Sequence, residues 1–113
     1  DAKRDITMGT NINSLLNELK VGLGPLYGER LQGLYLYGSR ARDESDRESD
    51  VDVLIVLDAI PSYVAEVDRT SVLIASLALK YSMSVSRVFV SVHDWQRGQT
   101  PFLLNAREEA IAA

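Results

Sequence analysis

A glycine-serine pair and two nearby aspartates are the residues of this chain whose types and spacing best suit chemistry. Gly38-Ser39 follows a short apolar run, and ten residues later Asp50 and Asp52 open an almost wholly aliphatic run through residue 57. Because successive side chains of a strand alternate between its faces, Asp50 and Asp52 would project together from the same face. Two carboxylates on one face predict a site for a divalent cation.

The ligand of such a site can be inferred from the coordination habits of the metal. Mg²⁺ takes oxygen ligands, keeps several waters and completes its shell with substrate phosphates, so the pattern predicts Mg²⁺ and a phosphate-bearing ligand. Gly38 would let the backbone approach a phosphate, and the hydroxyl of Ser39 could donate a hydrogen bond. Two interpretations stay open for Arg40 and Arg42: contact with the phosphates, or surface ion pairs with the acidic loop after them.

This arrangement of motifs resembles a known family. Gly-Ser, ten intervening residues and Asp-x-Asp among aliphatic residues resemble the active-site signature of the polymerase-beta-like nucleotidyltransferases, and the short chain resembles their minimal branch. The resemblance implies that Gly38 and Ser39 hold a nucleoside triphosphate while Asp50 and Asp52 bind the catalytic metal ions. It further implies a Mg²⁺-dependent reaction in which a nucleoside monophosphate is transferred to an acceptor hydroxyl and pyrophosphate is released. ATP is the implied donor, and a partner protein could supply the acceptor hydroxyl.

The resemblance also implies a partner and exposes a departure. Members of the minimal branch are often encoded beside a helical HEPN-domain protein, as the antitoxin of the pair. The family pattern adds a third carboxylate on a later strand, but the corresponding segment, 84–92, contains neither Asp nor Glu, and Ser84 or Ser86 falls near the expected position. Glu66 and Asp68 belong to a predicted helix instead.

Three hypotheses follow from the missing acid. The chain is an active nucleotidyltransferase whose site is completed by a carboxylate from a partner or from a second copy of the chain. Alternatively, it is a non-catalytic subunit that binds and masks a helical partner, or a nucleotide-binding sensor that transfers nothing. The sequence alone does not separate them.

The elements that must position these residues follow from periodicity. Ile12, Leu15, Leu19 and Leu23 recur at helical spacing and predict a helix that starts near Asn11 or Asn13 and ends at residues 22–25, where two glycines and a proline occur. The later predicted elements are strands at 34–37, 50–57 and 85–92 and helices at 61–81 and 101–111.

Details within these elements predict how they pack. The unbroken apolar run after Asp52 is typical of a central strand buried on both faces. Thr100 is predicted to cap the last helix, and Val64 to lie on the packed side of the helix at 61–81. Tyr35, Tyr37 and Trp95 are interpreted as core or partner-contact residues rather than as a platform for stacking a base, and His93, at the end of a predicted strand, is interpreted as a structural residue. The expected fold is α/β (α+β): a small mixed sheet with helices packed on it, in one domain spanning 1–113.

Composition limits the class of protein. A net charge of −4 and a pI near 4.9 argue against broad binding to a nucleic-acid backbone, which needs clustered Lys and Arg. The absence of cysteine excludes disulfides and thiolate metal sites. No apolar run approaches the length of a membrane span, so we expect a cytoplasmic protein without a membrane partner. The first residue is aspartate, so the true start of the protein could lie upstream.

Overall fold

The helices and strands alternate broadly as predicted. A computed structural model describes residues 2–38 and 51–113, with side chains from residue 11 onward. The helices are α1 (Ala2–Tyr27), α2 (Tyr63–Tyr81), α3 (Val92–Arg97) and α4 (Pro101–Glu109). The strands are β1 (Leu31–Tyr37), β2 (Val51–Leu57), β3 (Val85–Ser91) and β4 (Ile111–Ala112). The α/β fold class is confirmed.

The described strands form one mixed sheet in the order β3-β2-β1-β4. Strand β1 runs antiparallel to both of its neighbours, whereas β2 and β3 are parallel. Every residue of β2 except Asp52 is at most 1% exposed, so the predicted central strand is confirmed. Asp52 is thus the one polar residue in an otherwise aliphatic, fully buried strand.

The two faces of the sheet are covered by different helices. Val53 and Ile55 of β2 face α1 and α2 and share a core with their leucines. Leu54 and Val56 face the opposite way and pack with residues of α3 and α4. Since side chains alternate along a strand, Asp52 lies on the face of Leu54 and Val56, which we call the α4 face.

Helix α1 is longer at both ends than predicted. It begins at Ala2, and it continues through the segment 22–25 to Tyr27. Pro25 lies in the last turn, where its missing N–H removes a single helical hydrogen bond. A Cβ on Gly22 would lie 2.6 Å from Cδ1 of Leu73, so this glycine allows α1 to pack closely against α2 instead of ending the helix.

Capping residues mark the starts of α2 and α4, whereas the shortest elements were not predicted. The Ser62 hydroxyl caps α2 by accepting from the N–H of Ala65, and that of Thr100 caps α4 by accepting from the N–H of Leu103, which confirms the predicted cap. Helix α3 was not predicted, because six residues are too short to show a period. The two-residue strand β4 was missed for the same reason.

The buried side of α2 contains polar residues that the apolar pattern did not reveal. Glu66 is 2% exposed and Thr70 fully buried, whereas Val64, predicted to pack inward, is 69% exposed. The Thr70 hydroxyl accepts a 2.7 Å hydrogen bond from Nε of Arg87 on β3, and a second nitrogen of Arg87 donates to the carbonyl of Val67. The inward side of α2 is therefore set partly by hydrogen bonds, and the prediction for Val64 was wrong.

Candidate functional site

Gly38 and Asp52 meet at one end of the sheet. Tyr37, the last residue of β1, pairs with Asp52 in the antiparallel register, and Gly38 follows with a φ of +78°. A Cβ on Gly38 would lie 2.6 Å from Oδ2 of Asp52. Position 38 therefore requires glycine for two reasons: its backbone conformation and the space beside the carboxylate.

The strand on the other side of Asp52 presents a serine. Asp52 pairs with Ser86 in the parallel register between β2 and β3, and paired residues of neighbouring strands project from the same face. Ser84 lies before β3 begins, and its carbonyl accepts from the N–H of Val51. The structure thus aligns Ser86 with Asp52, a choice that the sequence left open.

Tyr37 connects this end of the sheet to α4. Its ring lies edge-on to that of Phe102, with centroids 5.7 Å apart and an interplanar angle of 87°. Burial raises the pKa of Tyr37, and the charge of Asp52 and the nearby Tyr63 raise it further, so its hydroxyl stays protonated at neutral pH. Tyr35 packs on Trp95 with centroids 4.8 Å apart, within the core between the sheet and α3 and α4.

A groove of about 650 Å³ opens where β2 and β3 end, at the end of the sheet away from Asp52, and extends to Phe102. Its walls include Tyr63 of α2, Val88 and Val90 of β3, His93 of α3 and Phe102 of α4. Sequence reasoning missed Phe102, because its partner Tyr37 lies 65 positions earlier and no local pattern joins them. His93 is exposed on the rim and not packed in the core.

The structure places two of the six predicted site residues. Gly38 and Asp52 come together, while Ser39, Arg40, Arg42 and Asp50 lie outside the described residues, and their roles stay predictions.

The donor chemistry at Asp52 fits Mg²⁺. A carboxylate oxygen of Asp52 lies against the backbone at Gly38, the turn predicted to hold a phosphate, and carboxylate and phosphate oxygens together are ligands that suit a hard cation such as Mg²⁺. Within 2–38 and 51–113, no group of three or more His, Cys, Asp or Glu could hold a metal ion by itself. A metal here would therefore draw on Asp52 together with the ligand's phosphates and with residues beyond the described part.

Comparison with known proteins identifies the class. Residues 16–86 match the family model of the nucleotidyltransferase domain, a span that extends from α1 to Ser86 and includes Gly38 and Asp52. A protein of Methanocaldococcus jannaschii that bears the name of a protein adenylyltransferase is 31% identical over 77 residues, which cover 68% of this chain and 77% of that protein. The chain belongs to the nucleotidyltransferase domain family.

Solved structures share the fold. A toxin-antitoxin crystallised with AMP-PNP matches with a TM-score of 0.59 and 19% identity, over 85% of this chain and 69% of that one. A mutant of the MntA-HpeT toxin-antitoxin matches with a TM-score of 0.58 and 19% identity, over 86% of this chain and 72% of that one. Among the described helices, none has the length and apolar character needed to cross a membrane.

Proposed function

We propose that this chain is a Mg²⁺-dependent nucleotidyltransferase that moves AMP from ATP to a hydroxyl group on a partner protein. The observation that carries the proposal is the close approach of Asp52 to the turn at Gly38: a Cβ built at Gly38 would lie only 2.6 Å from Oδ2 of Asp52, so the carboxylate lies directly against the backbone proposed to bind the phosphates. Family membership supports the transfer chemistry. The name of the Methanocaldococcus relative supports ATP as donor and a protein as acceptor.

The chain's own groups have distinct roles in this scheme. In this scheme backbone N–H groups at Gly38 and Ser39 would bind the β- and γ-phosphates, and Arg40 and Arg42 would contribute positive charge. Asp52 and Asp50 would hold Mg²⁺, which would supply Lewis-acid stabilisation of the charge that develops on the phosphates. The acceptor oxygen bonds to the α-phosphorus, the bond from that phosphorus to the bridging oxygen breaks, and pyrophosphate leaves.

The proton of the acceptor hydroxyl needs a base, and this is where the site departs from its family. Ser86, one of the two serines near the position where the family pattern has a carboxylate, pairs with Asp52, and a serine hydroxyl does not accept a proton readily at neutral pH. We propose that a carboxylate from the partner or from a second copy of the chain receives this proton. The same observation favours a second candidate function: a non-catalytic subunit that binds nucleotide and masks its partner.

We propose a cytoplasmic HEPN-type helical protein as that partner, with this single-domain chain as the antitoxin. Both matched structures are of toxin-antitoxin proteins, and one of them contains AMP-PNP. The other contains a double mutant in which two aspartates, two positions apart, are changed to glutamate. That spacing equals the spacing of Asp50 and Asp52, which supports their proposed role.

Thermal unfolding with ATP and Mg²⁺, added separately and together, tests the nucleotide site. A ligand that binds only the native state adds about 2.7 kcal/mol to the free energy of unfolding at a hundredfold excess over its Kd. In a domain of this size we expect the Tm to rise by roughly 10 °C, and only when both components are present.

Asp52→Asn provides the control for this experiment. The variant should keep its fold, because it removes a charge from an acidic site, and should lose the response to ATP and Mg²⁺. An unchanged Tm of the parent chain at millimolar ATP and Mg²⁺ would contradict the proposed function. Equal responses of parent and variant would show that the nucleotide binds elsewhere.

A further inference from the structure

Phe102 belongs to the helix that covers the α4 face, the face from which Asp52 projects. Its neighbour Leu103 packs with Leu54 and Val56 of β2 on that face. The ring of Phe102 lies edge-on to the ring of Tyr37, the residue of β1 that pairs with Asp52. Tyr37 therefore connects Phe102 to the site at Asp52.

The ring of Phe102 is exposed, although the next residue of α4 is packed in the core. Leu103, the next residue, is 8% exposed and fills the space between α4 and the sheet together with Ala106. Phe102 is 41% exposed, and its edge-on packing against Tyr37 fixes the position of the ring. Single exposed apolar residues are common, so the argument depends on the place of Phe102 beside the site and not on exposure alone.

The proposed function determines where the nucleoside can extend. With the β- and γ-phosphates at Gly38, on the β1 side of Asp52, the α-phosphate lies near Asp52 itself. In-line displacement requires the acceptor oxygen opposite the leaving pyrophosphate, which keeps the β3 side, where Ser86 lies, for the acceptor. The nucleoside is therefore expected to extend along β2, towards Phe102.

We propose that Phe102, held in place by Tyr37, stacks the nucleobase of the bound nucleoside triphosphate. This inference rests on the proposed function. Stacking on an aromatic ring is tolerant of the base, and its loss on substitution typically lowers affinity by roughly 5- to 100-fold. Phe102 is then the residue that distinguishes a nucleoside triphosphate from a bare chain of phosphates.

Binding of two ligands with the same phosphates tests this role. Calorimetric titrations with Mg²⁺-ATP and with Mg²⁺-tripolyphosphate, which has no nucleoside, are made on the parent chain and on Phe102→Leu. Leucine keeps an apolar side chain on α4 and removes the aromatic face. We expect at least a fivefold loss of ATP affinity, unchanged affinity for tripolyphosphate, and recovery of ATP affinity in Phe102→Trp.

Leu104→Ala is the matched control, since Leu104 is 46% exposed on the same helix; it should bind both ligands as the parent does. Equal losses for ATP and tripolyphosphate in Phe102→Leu would overturn the inference, because the variant would then have disturbed the phosphate site. So would an unchanged ATP affinity, or a parent chain that binds both ligands equally. A parent that binds neither ligand contradicts the proposed function itself.

Discussion

Two carboxylates of this chain, Glu66 and Asp52, lie in contrasting surroundings. Glu66 is buried on α2 and accepts hydrogen bonds from Tyr27 at 2.8 Å and from Arg30 and Arg69 at 3.1 Å each. Asp52 lies at the opposite end of the sheet, where its Oδ2 occupies the place that a Cβ at position 38 would need. The first carboxylate is buried among hydrogen-bond donors of α1, Arg30 and α2, and the second lies against the turn proposed to bind phosphates.

This contrast separates a structural acid from a functional one. Arg30 also pairs with Asp58 at 3.1 Å, so the cluster around Glu66 links the end of α1, the start of β1, the end of β2 and α2. Loss of Glu66 should therefore reduce stability without affecting ligand binding. Changes around Asp52 should instead alter ligand binding or transfer, whatever their effect on stability.

The largest effect is expected from Ser86→Asp. If the structure has aligned the correct serine with the family's third acid, this variant should raise adenylyl transfer by about 10²- to 10⁴-fold, the usual contribution of general-base assistance. Incorporation of labelled ATP into the co-purified partner, or into the chain alone, provides the measurement.

Ser84→Asp is the control, because Ser84 precedes β3 and is exposed. A gain in Ser84→Asp but not in Ser86→Asp would show that the register does not identify the catalytic position. Fast transfer by the unmodified chain alone would show that the third carboxylate is dispensable.

Glu66→Gln should reduce stability next most strongly. The amide cannot accept from two arginines and a tyrosine as a carboxylate does, but Arg30 and Arg69 are partly exposed and water can solvate them. We therefore expect a loss of about 2–3 kcal/mol and a Tm lower by roughly 10 °C. Chemical denaturation measures the loss. Titration of the folded variant with Mg²⁺-ATP should give the parent's affinity, and a weaker affinity would show that the two regions are coupled.

Gly38→Ala and Gly28→Ala form a matched pair on the two sides of β1. Both glycines have positive φ, +78° and +54°, so alanine should destabilise each by about 1–2 kcal/mol. Only at position 38 does the new Cβ meet a side chain, that of Asp52; at position 28 nothing lies within 4 Å. We expect a 10- to 100-fold loss of Mg²⁺-ATP affinity in Gly38→Ala alone, an effect typical of a displaced metal ligand. Equal affinities of the two variants would remove the steric argument for the site.

The smallest effect concerns acid pH. Burial alone would raise the pKa of Glu66, but the hydrogen bonds from Tyr27, Arg30 and Arg69 outweigh it and hold the pKa below its ordinary value of 4.5. As the pH falls, Glu66 is therefore protonated in the unfolded chain before it is protonated in the folded chain. The stabilisation that the Glu66 carboxylate provides is complete above about pH 4.5 and is lost as the pH falls through the lower pKa of the folded state. The stability difference between the parent and Glu66→Gln should narrow between pH 5 and pH 3 in urea titrations. A constant difference would contradict the direction of this shift.

The sequence predicted what depends on neighbours along the chain. The aliphatic run after Asp52 indicated a central strand, and Thr100 indicated the start of α4, because alternation and capping act over a few residues. The choice between Ser84 and Ser86 depends on strand register, which is set by packing across the sheet. No pattern within the sequence reports such pairings.

The remaining differences have a similar cause. Glu66 was not expected in the core, because a search for apolar periodicity does not detect a buried carboxylate, and two of its three donors, Tyr27 and Arg30, lie 39 and 36 positions earlier in the chain. The contact between Phe102 and Tyr37 joins the last helix to the first strand. Helix α1 extends beyond its predicted end, because Gly22 allows close packing against Leu73 and does not end the helix. From sequence alone, a glycine that allows close packing cannot be distinguished from one that ends a helix.

The hydrogen bonds of Arg87 bear on how quickly a partner can associate. Strand β3 is an edge of the described sheet, and edge strands are often the first to open. Arg87 fixes β3 to Thr70 and to the carbonyl of Val67 on α2, from the face opposite to Ser86. A protein that bound along β3 would therefore meet a preformed surface, and its association rate would be limited by orientation and charge rather than by ordering of the strand.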